Sequence, residues 1–256
     1  MEEGIIQKSV RLKGQEVTDE ELVKINKFTI SPLTKEEVFT FKLVMGDNGL
    51  DDRNFEPFNL HALKDLKKLY IGKTMIKDHN RKADNQIARI YDTELQTDSD
   101  VKLESNEEFT TLVAKCYMIK TESNKDLIAE IKAGIKKEVS TSCVPKKAVC
   151  SICGKDNMKE YCSHYWGREY DVNGEKKICY FTLDGAKEAY EVSFVAVPAQ
   201  VRAGTTKSYI PKGIEEVQED KEKPVEENVK YEESISQKID CIDSFLFIKK
   251  KEDKHE

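Results

Sequence analysis

The segment Tyr190-Glu-Val-Ser-Phe-Val-Ala-Val-Pro198 predicts a β-strand over residues 190–197. Its β-branched and aromatic side chains favour an extended backbone, and the proline at its end cannot donate a sheet hydrogen bond. The unbroken apolar run from Phe194 to Val197 predicts that the strand is buried. Glu191 is the charged exception near its start, and its simplest interpretation is a surface charge on an edge strand.

The residues before this segment alternate between predicted strands and helices. A capping box from Thr18 to Glu21 predicts a short helix, and leucines at helical spacing predict a second one over Asn59–Leu69. A third helix is predicted over Asn124–Ile135, which the chain leaves at Gly134. Strands are predicted over 37–44, 73–77, 86–95, 109–120 and 137–144. This order favours an α+β domain, with an antiparallel β-barrel core and flanking helices.

Charge divides the chain near residue 210. The 256 residues carry a formal charge of −6, and residues 211–256 contain 14 Asp and Glu against 9 Lys, a net −5. Such a segment cannot bury enough apolar surface to offset its loss of conformational entropy. We therefore expect a folded domain at 1–210 and a largely disordered acidic tail at 211–256. The apolar island 235–248 is either a helix or docking peptide, or only a sticky part of a solvated tail.

Composition disfavours several classes of protein. The apolar runs are far shorter than the roughly 20 residues of a membrane-spanning helix, and the first residues lack the pattern of a secretory signal. A pI near 5.5 argues against general binding of nucleic acid. No glycine-rich phosphate-binding motif occurs. Seven cysteines without an export signal predict reduced thiols or a metal site in a cytosolic protein.

Three segments carry side chains suited to hydrolytic chemistry. His79 follows a predicted strand in a polar stretch, where an imidazole near solvent can exchange protons as a general base. Ser140 and Ser142 lie in KEVSTSC after a helix, and a serine needs such a base to become a nucleophile. A carboxylate at Glu191 can orient an imidazole. Taken singly, each of these residues is better explained by packing or solvent exposure.

The order of these segments resembles the prohead, or capsid maturation, serine proteases of tailed bacteriophages. In that family a histidine follows the first core strands. The nucleophilic serine lies in a short VS-x-G strand, and an acidic residue comes from an EVS-hydrophobic-V-x-x-PA segment. The matching stretches here are DHN at 78–80, KEVSTSC at 137–143 and EVSFVAVPA at 191–199. The resemblance spans roughly residues 69–203.

The resemblance implies the barrel fold of the herpesvirus assemblins, with His79 as general base, Ser140 as nucleophile and Glu191 as the acid that orients the imidazole. Ser140 is preferred because it takes the serine of the VS pair, whereas Ser142 stands where many relatives have glycine. The implied function is a serine endopeptidase inside the assembling procapsid, in the host cytoplasm. Its implied partners are the scaffolding protein and the major capsid protein, together with self-association and self-cleavage, but neither membrane nor nucleic acid.

Two rival interpretations remain open. The first is a catalytically inactive, structural capsid-assembly protein of the same fold. The second is a zinc-ribbon binding module in which the resemblance to a catalytic triad is a coincidence.

Four metal-binding side chains lie close together in the sequence: Cys150, Cys153, Cys162 and His164. A CxxC pair followed by glycine brings two thiolates to one point, and the C-x-H pair completes a tetrahedral set for zinc, with Cys179 as a substitute fourth ligand. The alternatives are reduced side chains in a loop, or redox chemistry of the CxxC pair. Four protein ligands leave no open position, so the zinc would be structural. We expect a zinc-knuckle-like insertion over residues 144–170, between two barrel strands.

Overall fold

A computed structural model describes residues 17–50, 52–103 and 105–205 of the protein. All of them belong to the first of the two units into which the chain divides, residues 1–210 and 211–256. The acidic tail predicted at 211–256, with its apolar island, lies outside the described residues.

Three α-helices and nine strands make up the described part of the chain. The helices are α1 (Asp19–Ile25), α2 (Leu60–Leu69) and α3 (Lys125–Ala133), with 3-10 turns at Asn26–Phe28, Ala83–Asn85 and Glu122–Asn124. The strands are β1 (Val38–Asp47), β2 (Thr74–Lys77), β3 (Ala88–Lys102), β4 (Glu108–Ile119), β5 (Val139–Cys150), β6 (Glu169–Val172), β7 (Glu175–Ile178), β8 (Phe181–Phe194) and β9 (Gly204–Thr205). The predicted α+β class is confirmed.

Seven strands form one sheet in the order β5-β8-β2-β3-β4-β1-β9, and β6 pairs with β7 in a separate hairpin. The sheet is mixed, because β2 and β8 run parallel while their neighbours pair antiparallel. Its two edges meet at a bridge between Glu138 and Gly204, but β9 is only 2 residues long and the sheet does not close. The predicted antiparallel β-barrel is therefore corrected to a mixed, open sheet. Its likeness to the assemblin fold stays a prediction.

The start of α1 and the end of α3 lie at the predicted capping residues. Thr18 and Glu21 form a reciprocal capping box at the start of α1, and the Asn59 side chain accepts from the backbone at the start of α2. Helix α3 ends at Gly134, whose φ of 72° is left-handed and costs glycine little. Among the described residues, no helix combines the length and apolar character needed to cross a membrane.

The main hydrophobic core joins α2 and α3 to the sheet. Helix α2 contributes Leu63 and Leu66, and Tyr70 follows at its end; all three are at most 1% exposed. They belong to the same core as Ala189 and Val192 of β8, which are also fully buried. Each large apolar side chain buried in this way contributes about 1.5–3 kcal/mol, so this packing fixes the position of β8.

Strands β5 and β8 form a long antiparallel ribbon that runs from the pair Val139–Phe194 to the pair Cys150–Phe181. Both strands are longer than predicted. Strand β5 continues through Pro145, which is tolerated because β5 lies at the sheet edge and the register shifts there. The insertion predicted over 144–170 therefore begins too early, since the chain leaves β5 after Cys150 and enters β8 at Phe181.

The variant Gly204→Ala tests the contact between the two sheet edges. An added Cβ would lie 2.8 Å from the carbonyl oxygen of Lys137, a backbone atom that cannot rotate away. We expect the free energy of unfolding to fall by about 1–3 kcal/mol, the usual cost of overpacking. In the control Gly46→Ala the new Cβ would meet the Gln200 side chain at an ordinary 3.4 Å, so its effect should be smaller. Equal denaturation midpoints for the two variants would contradict this packing.

Candidate active site and metal centre

The parallel pairing of β2 with β8 brings His79 and Glu191 together. Its register places Thr74 opposite Glu191 and Lys77 opposite Phe194. His79 follows the end of β2 by two residues, and its Nδ1 lies 2.8 Å from Oε1 of Glu191. Two of the three residues predicted for the site are thus joined by a hydrogen bond between segments far apart in the sequence.

The turn after β2 holds His79 in an uncommon backbone conformation. Asp78 and His79 have φ angles of 52° and 50°, in the left-handed region that residues other than glycine seldom adopt. The Asp78 N–H donates to the carbonyl of Phe194 at 3.0 Å, which ties the turn to the end of β8. Backbone strain of this kind is found preferentially at functional sites.

The two partners differ in burial. The Glu191 side chain is 3% exposed, whereas that of His79 is 39% exposed. Within the described ranges, Oε2 of Glu191 has no hydrogen-bond partner, so His79 alone binds this carboxylate. A carboxylate only accepts hydrogen bonds, so Nδ1 of His79 must be the donor. The neutral imidazole then has its lone pair on Nε2, the nitrogen that is available to act as a base.

Strand β5 places both candidate serines beside β8. Ser140 lies opposite Ser193, and Ser142 lies opposite Glu191. Residues two apart on a strand share one face, so the two serines point toward the same side of the sheet. The Oγ of Ser142 lies 3.4 Å from Nδ1 of His79, while no hydrogen bond joins Ser140 to His79 in the described part of the chain. The structure therefore brings Ser142, His79 and Glu191 together and leaves Ser140 two cross-strand pairs away.

The contact of Ser142 with His79 lacks the geometry of a nucleophile with its base. A serine hydroxyl loses its proton to a nitrogen lone pair, and Glu191 directs that lone pair to Nε2. Ser142 instead faces Nδ1, the nitrogen that carries the proton. The Ser142 hydroxyl oxygen can accept a weak hydrogen bond from Nδ1–H, but a protonated nitrogen cannot take the proton of the hydroxyl.

Tyr70 supports the segment of β5 that carries the serines. Its hydroxyl donates to the carbonyl oxygen of Ser142 at 3.0 Å. Burial raises the pKa of Tyr70 well above its usual value, so the phenol stays protonated as a donor. The sequence pattern alone did not single out this residue for the site. The available signal was its spacing of seven and four residues from Leu63 and Leu66, which continues the buried face of α2.

The four predicted metal ligands converge at the other end of the β5–β8 ribbon: Cys150, Cys153, Cys162 and His164. Their ligand atoms all lie within 4.8 Å of one another. Cys153 Sγ lies 3.6 Å from Cys162 Sγ, and His164 Nδ1 lies 3.4 Å from the same sulfur. With Zn–S bonds of about 2.3 Å, tetrahedral ligand atoms would be about 3.8 Å apart, so this cluster can bind a metal ion such as zinc.

The local backbone also suits thiolate ligands. The N–H groups of Ile152 and His164 donate to the sulfurs of Cys150 and Cys162, each at 3.4 Å. Backbone donors of this kind favour the charged form of a thiol, the form that binds metal. Gly154 has a φ of 74°, the left-handed conformation expected of the glycine after a CxxC pair.

Cys179 lies beside the four ligands but outside their set. Its sulfur is 3.9 Å from that of Cys150, and its side chain is completely buried. It is not one of the four side chains whose ligand atoms are mutually close. The geometry therefore favours His164 over Cys179 as the fourth ligand.

Comparisons with protein families, curated proteins and solved structures find no match for this chain. Its resemblance to the prohead proteases stays a prediction that depends on the DHN, KEVSTSC and EVSFVAVPA segments.

Metal analysis of the purified protein tests the cluster. We expect close to one equivalent of zinc per chain, and a loss of most of it in Cys153→Ser. The matched variant Cys179→Ala should keep its zinc, because Cys179 lies outside the ligand set. Structural zinc contributes roughly 10 kcal/mol or more of apparent binding energy in small peptides, so a chelator should also unfold the insert. Protein prepared without chelators and found free of zinc would contradict the site.

Proposed function

We propose that this protein is a serine endopeptidase of the prohead-protease type. The observation that carries the proposal is the 2.8 Å hydrogen bond between His79 and a nearly buried Glu191, beside a strand that carries two serines. A carboxylate that holds one imidazole nitrogen leaves the other free to take a proton from a serine, which is the arrangement of a catalytic triad. The exposed part of the His79 ring is where a peptide substrate can approach.

Ser140 is the nucleophile in this mechanism. Its hydroxyl gives its proton to Nε2 of His79 as its Oγ attacks the scissile carbonyl carbon, and an acyl-enzyme forms. His79 then returns the proton to the departing amine, and water releases the acyl group by the same route in reverse. Glu191 orients the ring and stabilises the imidazolium that forms in each half of the reaction.

Two arguments favour Ser140 over Ser142. The contact of Ser142 is with Nδ1, which Glu191 already occupies, so Ser142 is not placed to lose its proton to the ring. Ser140 also matches the serine of the VS pair in the prohead-protease pattern. A working pair has 2.6–3.2 Å between the serine oxygen and Nε2, and such hydrogen bonds commonly tighten only when substrate binds.

The substrates follow from the resemblance. They are the scaffolding protein, or the scaffold region of the major capsid protein, cleaved inside the procapsid. The metal cluster has a separate role in this proposal: zinc with four protein ligands has no position for substrate, so it stabilises the tip of the β5–β8 ribbon.

A second candidate function is a binding module formed by the insert. The observation that favours it is the set of large side chains exposed around the metal cluster, among them Tyr161 at 77% and Trp166 at 41%. Exposed aromatic residues of this kind are enriched where proteins bind partners.

An inactive structural protein of the same fold is favoured by the lack of a Ser140–His79 hydrogen bond in the described structure.

Labelling with a fluorophosphonate tests the nucleophile without knowledge of the substrate. We expect the probe to modify Ser140, as located by fragment masses of the peptide that contains both serines. Ser140→Ala should abolish labelling and lower the cleavage of co-produced scaffolding protein by on the order of 10⁴-fold, because the members of a triad act as a unit. Ser142→Ala is the control and should be much milder. Labelling at Ser142 would assign the nucleophile to that residue, and no labelling or cleavage would favour the inactive protein.

Glu191→Gln tests the tautomer on which the mechanism depends. The amide has nearly the shape of the carboxylate, but its NH2 group can donate to Nδ1 and so move the ring proton to Nε2. We expect a loss of roughly 10⁴-fold in kcat, as for the equivalent change in other triads. Circular dichroism should show an intact fold. Cleavage by the variant at more than a tenth of the wild-type rate would contradict the role of Glu191.

A further inference from the structure

We propose that Ser193 is a positioning residue that holds the main chain of His79 in its reactive place. This inference rests on the proposed function, and it concerns a side chain that the EVS segment contains but that the triad does not use. Ser193 lies on β8 two residues after Glu191, and it is fully buried.

The contact that carries this inference is the hydrogen bond from the backbone N–H of His79 to Oγ of Ser193, at 2.8 Å. The Ser193 hydroxyl can in turn donate to the carbonyl of Phe194, at a long 3.5 Å. That carbonyl also accepts from Asp78 N–H. Consecutive residues at the end of β8 therefore bind consecutive N–H groups of the turn.

The turn needs such support because two successive residues without glycine have left-handed backbones. A peptide of this conformation relaxes toward ordinary φ angles unless its surroundings fix it. Relaxation at Asp78 and His79 would rotate the imidazole relative to β8. The Ser193 hydroxyl opposes that rotation, because it binds the backbone N–H of His79 itself.

Glu191 and Ser193 act on His79 from one face of one strand. Residues two apart on a strand point the same way, so the carboxylate reaches the ring while the hydroxyl reaches the main chain. Glu191 alone fixes one atom of the ring and leaves rotation about that hydrogen bond. Two points of attachment define the direction of Nε2. Ser193 also lies opposite Ser140. The residue that holds His79 and the proposed nucleophile are therefore neighbours across the two strands.

A contact of Ser193 with substrate is excluded by its burial, and a purely packing role would not require the hydroxyl. The two roles make different predictions. If Ser193 only packs, removal of its hydroxyl changes the stability of the fold without a specific effect on His79. A positioning residue changes the orientation and the tautomer of that one ring.

The experiment compares Ser193→Ala with Ser193→Thr, which keeps the hydroxyl. Thr18→Ala is the matched control, since it removes a bond of the same type, from Glu21 N–H to a side-chain hydroxyl at 3.2 Å, in the cap of α1. Nitrogen NMR of the labelled imidazole reports the tautomer of His79, and steady-state kinetics reports kcat and KM separately.

We expect Ser193→Ala to reduce the fraction of His79 protonated on Nδ1 and to lower kcat by about 10- to 100-fold with little change in KM, the size of effect expected from a small displacement of a reacting group. Ser193→Thr should restore most of both, and Thr18→Ala should change neither. If Ser193→Ala does not fold, Ser193→Cys, which is close in size but a weak acceptor, takes its place in the same comparison.

The imidazole measurement separates the two proposals. A wild-type protein without peptidase activity would overturn the proposed function, and the tautomer of His79 would still decide the role of Ser193. An unchanged His79 spectrum in Ser193→Ala would overturn this inference, even if the protein cleaves scaffold as proposed.

Discussion

Strand β8 is the constraint on which the candidate active site depends. It pairs with β5 on one side and with β2 on the other, and it packs into the core formed with α2. Glu191 lies on β8 itself, the serines are placed by the register with β5, and His79 is placed by the parallel register with β2. A shift of β8 by one residue would turn Glu191 away from this face and separate all of these groups.

The β5–β8 ribbon connects two sites of different chemistry. The metal ligands lie where β5 ends and β8 begins, and the serines and Glu191 lie toward the opposite end. The register shifts twice between them, after Ser142 and after Val144, and such irregularities bend a strand and increase its twist. Zinc at one end of the ribbon would fix the segments that join the two strands. This gives the metal a structural purpose that does not require it to touch substrate.

Much of the local structure could be predicted from the sequence, because caps and apolar periodicity act over a few residues. The box at Thr18, the end of α3 at Gly134 and the grouping of the CxxC and C-x-H pairs are all of this kind. The sequence did not indicate the parallel pairing of β2 with β8, since neither strand encodes the direction of its neighbour. The sequence also did not predict the first half of β8, because Lys187 and Glu188 interrupt its apolar pattern.

The burial of Glu191 is difficult to explain by stability alone. Transfer of a carboxylate from water costs several kcal/mol unless it is fully hydrogen-bonded or paired with a cation. Here one oxygen binds His79, and the other has no partner among the described residues. A glutamine or an apolar residue would fill this place at lower cost. A buried carboxylate bound to a half-exposed imidazole suits the proposed proton transfer, because it would fix the tautomer of the ring and stabilise its charged form once the proton has moved.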